Sequence, residues 1–293
     1  MKILICSDGS EQAERAIRLG AAIAVACQAE VTLFGIIETP SRSDAILESL
    51  KRGQALLTEK KIQAELTTRA GDPVAEIVRR TEEQAYDLVV IGAVRKEAQG
   101  LFWMSSKSYK IIKEIRPPVL SVAGQVATIK RMLICSAGGR YIDSSLPLLG
   151  QIASGMQATV TLLHVMPEPP AIYARLRRLE ETADALLASQ SELGLSLRRQ
   201  QQSLAQMEVK AEVRLRHGPV LEEILREFTM GDYDLVVTGS APSRSLRTYV
   251  LGDISREIVN RANCAVLVVR GQAARGRTGK RLRGWFNRSQ TTP

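Results

Sequence analysis

Side chains able to carry chemistry are sparse in this sequence and poorly spaced for catalysis. The four cysteines, Cys6, Cys27, Cys135 and Cys264, stand far apart with no C-x-x-C pair. That spacing offers neither a zinc ligand set nor a dithiol redox couple. Cys6 and Cys135 lie inside apolar runs, where a thiol is an ordinary small core residue. Two histidines, His164 and His217, are too few for a metal cluster. No nucleophile elbow, Walker loop or usefully spaced carboxylate pair occurs, so no catalytic residue and no metal ligand is assigned. What remains is a short motif, Asp8-Gly9-Ser10, closing the first apolar run. Its plain reading is a turn in which Ser10 caps the following helix.

The elements that would position such motifs are legible because the chain repeats itself. Residues 3–9, ILICSDG, return as 132–138, MLICSAG, and 31–35, VTLFG, return as 160–164, VTLLH, both at an offset of 129. Further on the offset is 147: YDLVVIG at 86–92 returns as YDLVVTG at 233–239, and VLSV at 119–122 as VLVV at 266–269. GDPVAEI at 71–77 matches GPVLEEI at 218–224 with one residue of slack in the turn. The second copy therefore holds 18 extra residues between His164 and Gly218. Two blocks carrying the same motifs in the same order mean two copies of one domain. In the first copy, β-branched runs place strands at 2–7, 30–37, 64–69, 87–92 and 118–123, with helices at 11–27, 43–61, 73–85 and 105–115 between them. Unbroken apolar runs such as 88–91 suit strands covered on both faces. The expected fold class is α/β: two tandem Rossmann-like, doubly wound domains, each with a parallel five-stranded sheet.

A strand ending in Asp-Gly-Ser, a G-x-P turn before a helix, the D-L-V-V-x-G run and a closing V-L-x-V strand together resemble the universal stress protein family, over about residues 1–270. The resemblance implies a regulatory or stress-tolerance role, in some members gated by adenine nucleotide. Nucleotide-binding members carry an Asp after the first strand and a G-x2-G-x9-G-[S/T] loop after the fourth. Such glycines let backbone N–H groups approach phosphates at a helix N-terminus. The candidate positions in copy one are Asp8, Ile36, Gly92, Arg95, Ser105 and Ser106. Arg95 and Ser105 stand where the second and third glycines belong. Arg95 offers charge without the close backbone approach of glycine.

Copy two keeps Gly239 and Gly252, but Ala137 replaces the acid, Pro242 the second glycine and Asp253 the hydroxyl residue. An acid about 4 Å from a phosphate costs on the order of 4 kcal/mol at an effective dielectric near 20. Asp253 is therefore read as the N-cap of the last helix. The expectation is a tandem, non-enzymatic stress-response module with degenerate nucleotide pockets and no firm cofactor. The alternative is a weak ATP or AMP binder, or slow ATPase, acting through copy one. Pyrophosphatase-type ATP-cleaving enzymes use an S-G-G-x-D-S loop, and residues 136–145, SAGGRYIDSS, have two residues too many for it.

Partners follow from the same resemblance and from charge. The closing strands at 119–122 and 266–269 are expected to pair the domains intramolecularly, and a homodimer of tandem chains is the further assembly. Seven of the cations behind the net charge of +9 fall in residues 270–293 with no acid, leaving +2 elsewhere. Expected boundaries are 1–124 and 131–270 for the domains and 271–293 for a basic, disordered tail. Lys280, Arg281 and Arg283 beside Trp285 and Phe286 suit an anionic surface or nucleic acid, or else a solvated tail. In the insertion, Leu176, Leu179, Ala183, Leu186 and Leu187 recur at helical spacing, with a break expected at Gly194. This reads as a longer helix on its own sheet or as an exposed arm. No apolar run nears the roughly 18 residues of a membrane span, and the N-terminus turns polar too soon for a secretory signal. A cytoplasmic protein without a transmembrane segment is expected.

Overall fold

The computed structural model describes residues 1–93, 95–98, 101–136, 142–166, 182–242, 249–250 and 252–271. The first copy runs β1 (Lys2–Ser7), α1 (Glu11–Cys27), β2 (Glu30–Ile37), α2 (Ser43–Glu59), β3 (Ala64–Ala70), α3 (Pro73–Glu83), β4 (Leu88–Gly92), β5 (Arg95–Ala98), β6 (Leu101–Met104), α4 (Ser106–Glu114) and β7 (Val119–Val122). The second runs β8 (Arg131–Cys135), α5 (Leu146–Gly155), β9 (Thr159–Met166), α6 (Ala183–Ala188), α7 (Glu192–Ala205), β10 (Ala211–His217), α8 (Val220–Met230), β11 (Leu235–Pro242), β12 (Tyr249–Val250), α9 (Asp253–Arg261) and β13 (Ala265–Arg270). Helix starts follow capping chemistry: Ser10 Oγ accepts from Ala13 N, and Asp72 accepts from Ala75 N with Pro73 at the first helical position.

Ten strands form one sheet in the order β10-β9-β8-β11-β13-β7-β4-β1-β2-β3, with β12 paired to β11 at the side. Within each copy every neighbour on that path is parallel. The one antiparallel joint is β7 with β13, in the register Val266↔Ser121, Leu267↔Leu120 and Val268↔Val119. The strand order reverses between β1 and β4, and again between β8 and β11. Those are the switch points where open α/β sheets form a crevice.

One core lies between the sheet and α1, α2, α5 and α7. It contains Ile3, Ile5, Leu33, Leu149 and Leu204. The other lies against α3, α4, α8 and α9 and contains Leu4, Phe34, Val89, Ile112 and Ile258. Leu88, Val89 and Val90 have no exposed surface, because both faces of β4 are covered.

Three expectations need correction. The 71–77 and 218–224 segments match without slack at the strict offset of 147. A Cβ on Gly71 would meet Glu76 Cγ at 3.1 Å and one on Gly218 would meet Glu223 Cγ at 3.2 Å, both with positive φ. Asp72 thus corresponds to Pro219. Gly194 is not a break: it lies in the first turn of α7 and donates to Ser191 Oγ. Its missing side chain leaves room for Leu186 O, which a Cβ would meet at 2.2 Å. The chain turns instead between α6 and α7, at 189–191. Arg270, counted above with the tail, ends β13 at 8% exposure and donates to Ser240 Oγ, Pro117 O and Ile112 O.

The insertion falls between β9 and α7, since α7 keeps the 147 offset: Leu57 and Leu204 are both fully buried and begin identical closing turns. Leu186 and Leu197 are fully buried as well, so the described part packs on its own domain rather than forming an arm. Leu176, Leu179 and the 272–293 tail lie outside the described residues. On the α1 side the copies also touch through helices. A Cβ on Gly155 would fall 2.6 Å from Ala26 O, so α1 and α5 approach at a position only glycine fills without displacement. Among the described residues no helix is long and apolar enough to cross a membrane.

Candidate functional site

In the first copy the crevice is built from the carboxyl ends of β1, β2 and β4 and the first turn of α4. Asp8 follows β1, and its Oδ1 accepts from Ser10 N at 3.0 Å, while Ser10 Oγ caps α1. Turn and cap therefore coexist, as the sequence allowed. Gly9 has φ +72°, and its Cβ position faces Ile46 N at 3.1 Å, so the start of α2 closes over this turn. Gly92 is required by packing. A Cβ there would lie 2.6 Å from the Gln12 carbonyl carbon, in the first turn of α1. Ile36 is 3% exposed and belongs to the core under α3 and α4.

The loop after β4 is a β-hairpin. Arg95 opens β5, which pairs antiparallel with β6, and β6 lies against α9 of the other copy. The Arg95 side chain is outside the described part of the structure. Ser105 is the N-cap of α4, its Oγ accepting from Ser108 N at 3.2 Å, and Ser106 is the first helical residue. The residue at the third-glycine position thus holds the helix end, and Ser106, the hydroxyl expected on a phosphate, begins the helix beside it.

One contact was not read from the sequence. Lys107 Nζ, in the first turn of α4, donates to both carboxylate oxygens of Glu38 at 2.5 and 2.6 Å. Glu38 directly follows β2. The pair joins residues 69 apart, and no local pattern signals it.

The second copy differs at each of these points. Gly239 lies in β11 beside Val269, and its carbonyl accepts from Ser255 Oγ at 2.8 Å. Gly252, not Asp253, is the N-cap of α9. Asp253 is the first helical residue, with its side chain 92% exposed and 3.3 Å from Arg256 Nη2. The acid acts on the helix dipole instead of bonding the end. A Cβ on Gly252 would meet nothing within 4 Å. Pro242 ends β11 opposite Tyr249 of β12, and β12 lies against α4 of the first copy. Ala137 lies outside the described residues.

On the opposite face of the second copy, larger polar side chains occupy positions that are glycine in the first. A Cβ on Gly35 would fall 2.6 Å from Ile46 Cγ2, and one on Gly53 would fall 2.8 Å from Ile17 Cγ2. Their counterparts are His164 and Gln200. Gln200 is 1% exposed, accepts from Ser136 Oγ at 3.5 Å and donates to Asp143 Oδ1 at 2.7 Å. His164 Nδ1 lies 2.8 Å from Ser136 O. Burial lowers the His164 pKa, and the Ser136 carbonyl opposes that shift. Ser136 and Asp143, the first residue and the acid of the pyrophosphatase-like segment, are thus bridged by Gln200. Burial also pushes the Cys135 thiol up to about 12 and raises Cys6 further, so neither thiol is a nucleophile at neutral pH. Cys6 is buried and Cys135 partly so. Among the described residues no group of three or more His, Cys, Asp or Glu side chains could hold a metal ion.

Comparison with known proteins agrees with this architecture. The family model described as "Universal stress protein family" matches residues 1–123 and 144–270. The universal stress protein YxiE of Bacillus subtilis (strain 168) is 26% identical over 145 residues, which is 48% of this chain and 98% of that protein. A universal stress protein from Archaeoglobus fulgidus DSM 4304 superposes with a TM-score of 0.70 at 17% identity, covering 92% of this chain and 98% of that one. A functionally unknown protein from Pseudomonas aeruginosa PAO1 gives 0.66 at 16% identity, covering 92% of both.

Proposed function

Because this chain belongs to the universal stress protein family, we propose that it is a non-catalytic regulatory module of the stress response whose two nucleotide pockets have degenerated. The observation that carries this reading is the state of the polar groups at the positions where a nucleotide would be held. Asp8 is engaged by Ser10 N, Ser105 by Ser108 N, and the start of α9 presents Asp253. A ligand would have to break a cap or face an acid, and a cap alone is worth about 1 kcal/mol. Calorimetric titration of the full chain with ATP and with AMP, alongside a phosphate-release assay, tests the reading. The expected outcome is no binding tighter than about 100 μM and no turnover. Binding below about 1 μM, or steady phosphate release, would falsify it.

A second reading, residual adenine-nucleotide binding through the first domain, is favoured by the asymmetry between the copies. The first has Asp8 beside β1 and the cation Lys107 in the first turn of α4. The second has Asp253 and Ile254 at the corresponding helix start. Any binding then belongs to the first half of the chain.

A further inference from the structure

We propose that Glu38 and Lys107 form a gate across the first-domain crevice. Lys107 is the side chain that receives the terminal phosphates of a nucleotide, and Glu38 is the resident carboxylate that such a ligand displaces. The proposal rests on the second reading above and adds its regulation. Sheet order sets the geometry. β1 lies between β2 and β4, so a bond from the end of β2 to the first turn of α4, the helix reached from β4, joins the elements that flank β1, whose end carries Asp8. Side-chain alternation agrees, because Phe34 and Ile36 face the α3 and α4 side together with Leu4 and Cys6. Glu38 and Asp8 continue those two series past the strand ends.

The pair is built to open. Its side chains are 51% and 48% exposed, and ion pairs at that exposure contribute little to the fold. A triphosphate carries more charge than a carboxylate and meets the positive end of the α4 dipole beside Lys107. Among its described residues the second domain shows no such pair. The residue equivalent to Lys107 is Ile254, 40% exposed, and the residue equivalent to Glu38 is Pro167 in the sequence. A merely structural ion pair would not need to lie across the one crevice that keeps its acid.

The test is calorimetric titration of wild type, Glu38→Gln, Glu38→Ala and the double variant Glu38→Gln/Lys107→Met with ATP and with tripolyphosphate. Circular dichroism melts verify that each variant is folded. The two single variants should bind ATP at least about fivefold more tightly than wild type, and the double variant should lose that gain. Equal ATP affinity in wild type and single variants overturns the gate and leaves the nucleotide reading standing. A gain that persists in the double variant overturns the role of Lys107. If no variant binds either ligand, the gate and the nucleotide reading fall together.

Discussion

Ser105 shows the limit of reading a residue by its place in a loop motif. It occupies the position of the third loop glycine, and its Oγ accepts from Ser108 N at the start of α4. Ser105→Ala should therefore lower the unfolding free energy by about 1 kcal/mol, read from urea denaturation, and leave any heat of ATP titration unchanged. A loss of ATP affinity with unaltered stability would assign this hydroxyl to the ligand instead of the cap. The same limit explains what the sequence showed of the site. Asp8-Gly9-Ser10 was legible because its turn and cap are made within three residues. The reason for Gly92 was not, because the atom it makes room for belongs to Gln12, eighty residues earlier. Glu38 and Lys107 are each unremarkable surface residues until the sheet order brings them together.

Among the elements, strands and long helices were readable, since β1, β2 and α1 depend on local runs that the core confirms on both faces. The hairpin of β5 and β6 escaped notice because the stretch at 95–104 is half polar, half apolar and interrupted by Gly100, a mixture that also describes an irregular loop. The assembly of β8, β9 and α7 was hidden for a different reason: one buried glutamine, Gln200, ties it together, and nothing adjacent in sequence marks that residue. The assembly has a testable pH response. Folding depresses the His164 pKa by burial. As pH falls through the ordinary value near 6.5, the unfolded chain takes up the proton first and stability declines. Urea midpoints should therefore drop between about pH 7 and pH 5, and His164→Asn should flatten that part of the profile. A profile identical in wild type and variant would remove His164 from the account.

For the whole molecule, the end of the described part lies at the joint between the copies. Arg270 is buried there, with Ser144 Oγ donating to its carbonyl, and Gly271 N donates to Ser240 O. Truncation after Gly271 should leave the melting temperature unchanged. It should also weaken binding to anionic vesicles or nucleic acid at low salt, if the basic segment makes such contacts. Truncation after Val269 removes the guanidinium from Pro117 O and Ile112 O. It should cost about 1–3 kcal/mol for the acceptors left behind, seen as a lower midpoint or a second transition. Equal melting of both truncations would show that Arg270 holds nothing. The antiparallel joint of β7 and β13 has one more consequence. Strands within each half share a direction, and the halves oppose each other, so their carboxyl ends reach opposite margins of the sheet. The two crevices open back to back. The tandem chain thus has two outward-facing sockets joined through one continuous plate of strands and braced where β6 meets α9 and β12 meets α4.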